Sequence, residues 1–200
     1  MSYLHKPSVL FLLLLGLALP ASSQPLLFEN YSSRQGLSQH NCTSIAQDNF
    51  GFIWIGTIDG LNRYDGNTFK VFLQQNEAGK KLPSNAVYSL YFDSVRQLLW
   101  IGTARGLTIY DPKGDSLALP SHFFRNKELD QFRAWRIKSF KPGEFWFITT
   151  NNGLIHFNST TGVLSYFFQS GQEKYSVTDI VLHQGRLLVS DYFKLYELQP

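Results

Sequence analysis

Gly51-Phe52-Ile53-Trp54-Ile55-Gly56-Thr57 is the stretch of sequence from which the fold can be predicted. It returns as Leu98-Leu99-Trp100-Ile101-Gly102-Thr103 and, more weakly, as Glu144-Phe145-Trp146-Phe147-Ile148-Thr149, so that the three tryptophans lie 46 residues apart. A fourth copy, at 185–198, has Leu188 in place of the tryptophan. Repeats of about 40–50 residues built from short apolar segments are typical of β-propeller blades.

Each repeat has the pattern of four short antiparallel strands. An apolar first strand precedes the tryptophan strand, and the third strand follows a turn whose glycine we expect to have a positive φ. A fourth, aromatic strand is predicted at 69–72, 122–124 and 166–168. Because sustained helical periodicity is absent from the sequence, the predicted class is all-β. We expect the tryptophans to pack between blades and the Gly-Thr pairs to shape strand ends; the structural repeat positions are Trp54, Gly56, Gly60, Tyr64, Trp100, Gly102, Gly106, Tyr110, Trp146 and Gly153.

The repeats also give domain boundaries. Residues 24–200 are predicted to form the N-terminal part of an incomplete β-propeller, with about three full blades and a partial fourth. The segment 26–31 resembles a fourth strand without a blade of its own, and we expect it to close the ring by completing a last blade. We therefore expect the chain to be the start of a longer polypeptide. The predicted blades cover about 41–73, 86–125, 133–169 and 176–200.

The N-terminal residues predict export. The apolar run 9–19 is too short for a membrane span, which needs roughly 20 residues. Ala21 and Ser23 have the spacing of a signal peptidase site before Gln24, so residues 1–23 are predicted to be a signal peptide. An uncleaved membrane anchor is the alternative. The single cysteine, Cys42, excludes an internal disulfide and is expected to be a buried thiol.

Composition and motifs argue against several functions. The 18 Lys and Arg against 15 Asp and Glu give a net charge of only +3, too weak to favour nucleic acid or an anionic membrane as partner. The five histidines are scattered without metal-ligand spacing, and the chain has neither a phosphate-binding glycine loop nor a Gly-x-Ser-x-Gly motif. We therefore predict no catalytic residue, no metal and no cofactor in this chain.

Polar residues in corresponding turns predict a binding site. In a four-stranded blade the turn between strands two and three lies at the same end as the connection to the next blade. Polar groups from several blades would therefore converge there and could hold a sugar or a peptide. A solvated rim is the alternative. Trp135, on a first strand, could stack on a sugar ring or pack between blades. The candidate ligand-binding residues are Asp59, Arg105, Asn151, Asn152 and Asp191.

The motifs resemble a known family, the two-component regulator propeller repeat. The resemblance covers roughly 26–200 and is strongest through 112. His40 departs from the family's usual Asn, and the third and fourth repeats lose the Gly-Thr step. The residues that carry the resemblance are Gly36-Leu37-Ser38, Gln47-Asp48, 51–57, 59–66, Leu82-Pro83-Ser84-Asn85, 99–103, Gly106-Leu107 and Tyr110-Asp111.

The resemblance implies a periplasmic sensor region of a hybrid two-component receptor of the Bacteroidetes type. Such receptors sense oligosaccharides released from glycans and control a transmembrane histidine kinase, here expected downstream of this fragment. The implied partners are an oligosaccharide or another small ligand, the rest of the same receptor and a second copy in a homodimer, with the membrane reached only through a downstream segment. Two other readings stay open: a secreted propeller enzyme, such as a lyase or quinone-dependent dehydrogenase, and a structural protein-interaction propeller.

Overall fold

The computed structural model describes residues 26–74, 82–150, 152–168 and 176–198. The chain divides into Met1–Asn30 and Tyr31–Pro200. Residues 26–30, the described part of the first unit, have no regular secondary structure. Residue 31 also lies outside any strand, so a role of 26–31 in closing a ring stays a prediction. The predicted signal peptide, 1–23, lies outside the described residues.

The described residues of the second unit form four antiparallel sheets, each with its strands in sequence order. Blade 1 is β1 (Cys42–Gln47), β2 (Ile53–Thr57), β3 (Gly60–Tyr64) and β4 (Phe69–Phe72). Blade 2 is β5 (Val87–Asp93), β6 (Leu98–Thr103), β7 (Gly106–Asp111) and β8 (Ser116–Ala118). Blade 3 is β9 (Ala134–Lys141), β10 (Glu144–Thr149), β11 (Leu154–Asn158) and β12 (Val163–Phe167), and blade 4 is β13 (Asp179–His183), β14 (Arg186–Ser190) and β15 (Leu195–Leu198). The predicted all-β class with blade-like sheets is confirmed.

A threonine at the end of the second strand fixes the following turn in the first three blades. Thr57 Oγ1 donates to the carbonyl of Gly60 at 3.1 Å and accepts from the amide of Asp59 at 3.1 Å. Thr103 makes the same pair of bonds in blade 2, and Thr149 makes the equivalent pair in blade 3, across a turn that is one residue longer. Gly60 has a φ of 136°, as the turn pattern predicts. Blade 3 therefore keeps the threonine turn, although Ile148 replaces the glycine before it.

Aromatic side chains fill the space between consecutive blades. Trp54 is fully buried, and its ring lies 4.5 Å from that of Tyr110 in blade 2. Its Nε1 also donates to Asp48 Oδ2 at 2.8 Å. The Trp100 ring packs in a similar way one blade later, 4.7 Å from that of Phe145 in blade 3, but its Nε1 has no acceptor among the described residues. Burying rings of this size is the main source of cohesion between blades.

The glycines before Thr57 and Thr103 allow neighbouring blades to approach closely. From the sequence we expected the Gly-Thr pairs only to shape strand ends and did not predict this contact between blades. A Cβ added to Gly102 would lie 2.1 Å from the carbonyl oxygen of Ala134 in blade 3. A Cβ at Gly56 would lie 2.8 Å from Val87 Cγ1 in blade 2. The glycine before the threonine is therefore required by the neighbouring first strand, whereas the threonine hydroxyl and the positive-φ glycine after it shape the turn.

The predicted fourth strand at 122–124 is wrong. Residues Pro120–Phe124 form a short helix, α1, and the fourth strand is the earlier segment Ser116–Ala118. Proline lacks the amide that a strand would use but is well suited to the first turn of a helix. The aromatic side chain still reaches the core, since Phe124 stacks on Trp100 with ring centroids 5.1 Å apart.

The expectation that Cys42 is buried is also wrong, because the thiol is exposed. Cys42 pairs with Thr57 just as Val87 pairs with Thr103 and Ala134 with Thr149. Val87 and Ala134 are fully buried, since a preceding blade covers each of them. No described blade precedes blade 1, so the same position is open to solvent there.

Candidate functional site

The first strands of blades 1, 2 and 3 together enclose a cavity of about 260 Å³. Its walls carry Thr43 and Ser44 from β1, Tyr88 and Ser89 from β5, and Trp135, Arg136 and Lys138 from β9. We call this space the inner-strand cavity. Hydroxyl groups, aromatic rings and cations therefore face one space, and none of its lining residues is a carboxylate.

The repeat breaks inside this cavity. Ser44 pairs with Gly56 and Ser89 pairs with Gly102, so the two serines occupy the same position in successive blades. In blade 3 the residue at this position is Arg136, which pairs with Ile148. A bulge next to each of these positions, at the residue before it, turns the strand in the same way in all three blades. The exchange of serine for arginine is therefore a change of side chain on a conserved backbone geometry.

The two serines differ in their hydrogen bonds. Ser44 Oγ accepts from the amide of Leu90 at 3.0 Å and so joins blade 1 to blade 2. Ser89 is 6% exposed, yet its Oγ has no hydrogen-bond partner among the described residues. A buried hydroxyl without a partner costs about 1–3 kcal/mol. The Ser89 hydroxyl is thus an unused donor and acceptor just beneath the wall of the cavity, because its Oγ has almost no accessible surface.

Arg136 is the exposed cation of the cavity. Its guanidinium carbon lies 5.2 Å from the centre of the Trp135 ring, a distance at which the cation and the ring attract each other. No ion pair joins Arg136 to a carboxylate within the described part of the chain. Its positive charge does act on Asp179 of β13, whose pKa it helps to lower.

Lys138 is already engaged. Its Nζ contacts Asp179 Oδ1 at 2.5 Å and donates to the carbonyl of Ile180 at 2.7 Å. Burial pushes the pKa of Asp179 up, but the hydrogen bonds from Lys138 and the Ile180 amide, with the charges of Lys138 and Arg136, outweigh it and hold this pKa below its ordinary value. Two cations therefore face one ionised carboxylate, and the balance at the cavity wall is positive.

The predicted turn residues lie at one end of the blades, each in its own turn. Asp59 and Arg105 are exposed, and Asn152 and the part-buried Asp191 occupy the corresponding turns of blades 3 and 4. The Asp59 carboxylate accepts from Asn85 Nδ2 at 3.4 Å, and the Gly60 amide donates to the Asn85 carbonyl, so this turn does meet the connection to the next blade. Asn151 lies outside the described residues.

Asp191 is occupied in shaping its own turn. Its carboxylate accepts from the amides of Phe193 and Lys194 and from the hydroxyl of Tyr196, at 2.7, 2.6 and 2.9 Å. The Phe193 amide bond is the main cause that lowers the pKa of Asp191. A ligand would have to compete with three donors for this side chain.

A second cavity of about 320 Å³ opens at this end, between blades 3 and 4. Trp135 lines it together with the hydroxyl-bearing Thr149, Thr150 and Ser176, and Tyr192 of the last turn is 74% exposed at its edge. Because Trp135 also lines the inner-strand cavity, one indole borders both spaces. The sequence indicated Trp135, but it gave no weight to Ser89 or Arg136. Aligning the first strands of the repeats would have marked Arg136 as the outlier.

Other kinds of site find no support in the described residues. Within them, no three His, Cys, Asp or Glu side chains are grouped so that they could hold a metal ion. Nor does any helix in that part of the chain have the length and apolar character needed to cross a membrane.

Comparisons with known proteins bear on the repeat and the fold. Residues 36–59 match the family model described as two component regulator propeller. A 70-residue stretch, 35% of this chain, is 39% identical to Histidine kinase P4 of Formosa agariphila and covers 5% of that protein.

Two solved structures from B. thetaiotaomicron share the fold. The extracellular domain of one predicted hybrid two component system has a TM-score of 0.56 and 19% identity over 88% of this chain and 31% of its own. That of a second has a TM-score of 0.59 and 22% identity over 82% and 23%. This chain thus spans less than a third of the length of each relative. The solved structures share the fold, and the family match confirms the resemblance seen in the motifs for residues 36–59, which carry the two component regulator propeller repeat.

Proposed function

We propose that this chain is part of the extracytoplasmic ligand-sensing region of a two-component receptor. In this proposal the propeller responds to oligosaccharides released from glycans and controls a transmembrane histidine kinase in the same polypeptide. The observation that carries it is the 39% identity of a 70-residue stretch to a histidine kinase, together with the match of residues 36–59 to the two component regulator propeller. Sensing would require the ligand to bind two receptor states with different affinity.

In this proposal the binding surface lies at the two cavities, because their side chains suit a sugar. The inner-strand cavity and the second cavity, between blades 3 and 4, combine hydroxyl groups with the half-buried Trp135 and the exposed Tyr192. Sugars bind through hydroxyl hydrogen bonds and through packing of their C–H faces on aromatic rings, and both kinds of group are present here. The turn residues Asp59, Arg105, Asn151, Asn152 and Asp191 remain proposed contacts at the rim.

A longer protein is part of the same proposal. The outward face of β1 leaves Ile45 70% exposed, whereas Leu90 and Ile137, at the same position in blades 2 and 3, are each 7% exposed. A further blade packed on β1 would remove this apolar surface from water. We propose that such a blade, a membrane-spanning segment and the kinase belong to the complete natural chain, that residues 1–23 direct its export, and that it acts as a homodimer.

A binding experiment with a check for turnover tests the sensor proposal. The complete natural protein would be titrated calorimetrically with a panel of neutral and acidic oligosaccharides, and each mixture would then be analysed by chromatography. We expect saturable binding of at least one saccharide without any change in that saccharide. Conversion to product would instead support the enzyme alternative, and no binding across the panel would contradict sensing of glycan-derived oligosaccharides.

A further inference from the structure

We propose that the inner-strand cavity binds a carboxylate-bearing sugar, such as a uronic acid unit of an oligosaccharide. This inference rests on the proposed function, because it specifies the ligand class and the place of binding. It assigns the carboxylate to Arg136, a sugar hydroxyl to Ser89, and the sugar ring to the aromatic side chains of Tyr88 and Trp135.

The charge of the cavity selects an acid. Arg136 and Lys138 line it, and Asp179, the carboxylate next to it, is paired with Lys138. Arg136 is therefore the cation available to a ligand. An arginine presents a planar set of donors that matches a carboxylate with two parallel hydrogen bonds. The Trp135 ring beneath the guanidinium would keep it facing the cavity.

The free hydroxyl of Ser89 indicates a hydrogen-bonding ligand. The equivalent hydroxyl in blade 1, that of Ser44, accepts a hydrogen bond from Leu90 of blade 2. Ser89 is only 6% exposed, and its hydroxyl has no partner within the described residues. Buried polar groups in folded proteins are nearly always paired, so an unpaired one calls for an explanation. A sugar hydroxyl at the cavity wall would supply the missing bond once a small movement of β5 against β9 exposes the Oγ.

The volume of the inner-strand cavity and the aromatic rings that line it fit one sugar unit. The volume of about 260 Å³ lies just below the range of about 300–1,000 Å³ that small-molecule sites occupy. Tyr88 is 38% exposed and Trp135 half-buried, so both rings can be reached from the cavity. The adjoining cavity at Tyr192 would then accept the neighbouring unit of the same oligosaccharide.

The test compares matched ligands on the complete natural protein. Tetramers of galacturonic acid and of galactose would be titrated by calorimetry at about 0.15 M salt, with sodium acetate and inorganic phosphate as simple anions. We expect the acidic tetramer to bind at least tenfold more tightly than the neutral one, and the simple anions to bind more weakly than either acidic or neutral sugar.

Two variants test the site, and a third is the matched control. Arg136→Ala should weaken binding of the acidic tetramer roughly 10- to 100-fold, as expected for a charge-assisted pair, and should abolish the preference over the neutral tetramer. Ser89→Ala should weaken binding roughly 2- to 10-fold while leaving the urea midpoint unchanged or raised, since it removes an unpaired buried hydroxyl. Arg186→Ala, at the exposed start of β14, removes an equal charge and should leave binding unchanged.

Each outcome decides the inference. Equal binding of the acidic and neutral tetramers, unaffected by Arg136→Ala, would overturn the acidic-sugar site and leave the proposed sensor function standing. Acetate or phosphate binding as tightly as the acidic tetramer would reduce the cavity to a simple anion site and also overturn the inference. Binding of neither tetramer would overturn it and count against the sensor function as well.

Discussion

Replacing Gly102 by alanine should separate blade 2 from blade 3. The new Cβ would lie 2.1 Å from the Ala134 carbonyl oxygen, about 1.3 Å inside the 3.4 Å at which ordinary contact begins. The obstacle is backbone at the start of β9, which cannot rotate away like a side chain. Overpacking in a well-filled core costs about 1–3 kcal/mol, and we expect Gly102→Ala to reach at least the upper end, about 3 kcal/mol.

Two further alanine substitutions form a graded series. At Gly56 the closest atom is a Val87 methyl group at 2.8 Å, so a smaller shift of a side chain suffices and about 1–2 kcal/mol is expected. At Gly114 the new Cβ would meet the Ser116 hydroxyl at 3.0 Å, which can rotate, so the change should be near zero.

The assay is urea denaturation of the complete natural protein followed by circular dichroism, with the propeller transition compared among the three variants. The predicted order of destabilisation is Gly102→Ala, then Gly56→Ala, then Gly114→Ala. If Gly102→Ala were no more destabilising than Gly114→Ala, the close approach of the second strand to the next blade would be refuted.

Three other predictions concern single side chains. Trp54→Phe should destabilise the propeller by about 2 kcal/mol more than Trp100→Phe in urea denaturation. The reason is that Trp54 Nε1 donates to the buried Asp48, whereas Trp100 Nε1 has no acceptor among the described residues. Equal losses of stability in the two variants would contradict this. Burial lowers the pKa of His156 from its ordinary 6.5, so the unfolded chain takes up a proton at a higher pH than the folded chain does. The free energy of unfolding should therefore fall as the pH drops through 6.5 and level off below the pKa of the folded state. His156→Gln should flatten that pH profile, and an unchanged slope would exclude His156 as its source. Finally, Cys42 should react rapidly with a thiol reagent in a chain that ends at Pro200 and slowly in the complete natural protein, whereas equally rapid labelling of both would contradict coverage of β1 by a further blade.

The repeat predicted most of the fold because each of its characteristic residues occurs at a fixed place in a blade. The spacing of Trp54, Trp100 and Trp146 marks the second strands, and the glycine turns mark the third. The fourth strands were harder to predict, since aromatic residues alone do not distinguish a strand from a helix. Pro120 was the signal that residues 120–124 would form a helix, because it removes a strand donor and favours a first helical turn.

Burial at the first strand could not be predicted from the repeat alone. Cys42 has the sequence context of the buried Val87, but its exposure depends on whether a blade precedes it in space. The same limit applies to the candidate site. Turn residues such as Arg105 were visible as polar residues in turns, whereas Ser89 looked like an ordinary strand residue. Its importance comes from a hydrogen bond that its counterpart Ser44 makes and Ser89 lacks, and only the packing of β5 against β9 reveals this.

Ligand-dependent phosphorylation is the most direct test of the proposed sensor. The complete natural protein would be reconstituted in lipid vesicles, and incorporation of phosphate from radiolabelled ATP would be measured with and without the galacturonic acid tetramer, for the unaltered protein and for Arg136→Ala. We expect the acidic tetramer to change the phosphorylation rate of the unaltered protein, and we expect Arg136→Ala to shift this response to at least tenfold higher ligand concentration. A protein that binds saccharides at the propeller yet shows the same phosphorylation at every concentration, or none at all, would contradict the assignment of this chain to a kinase-controlling sensor.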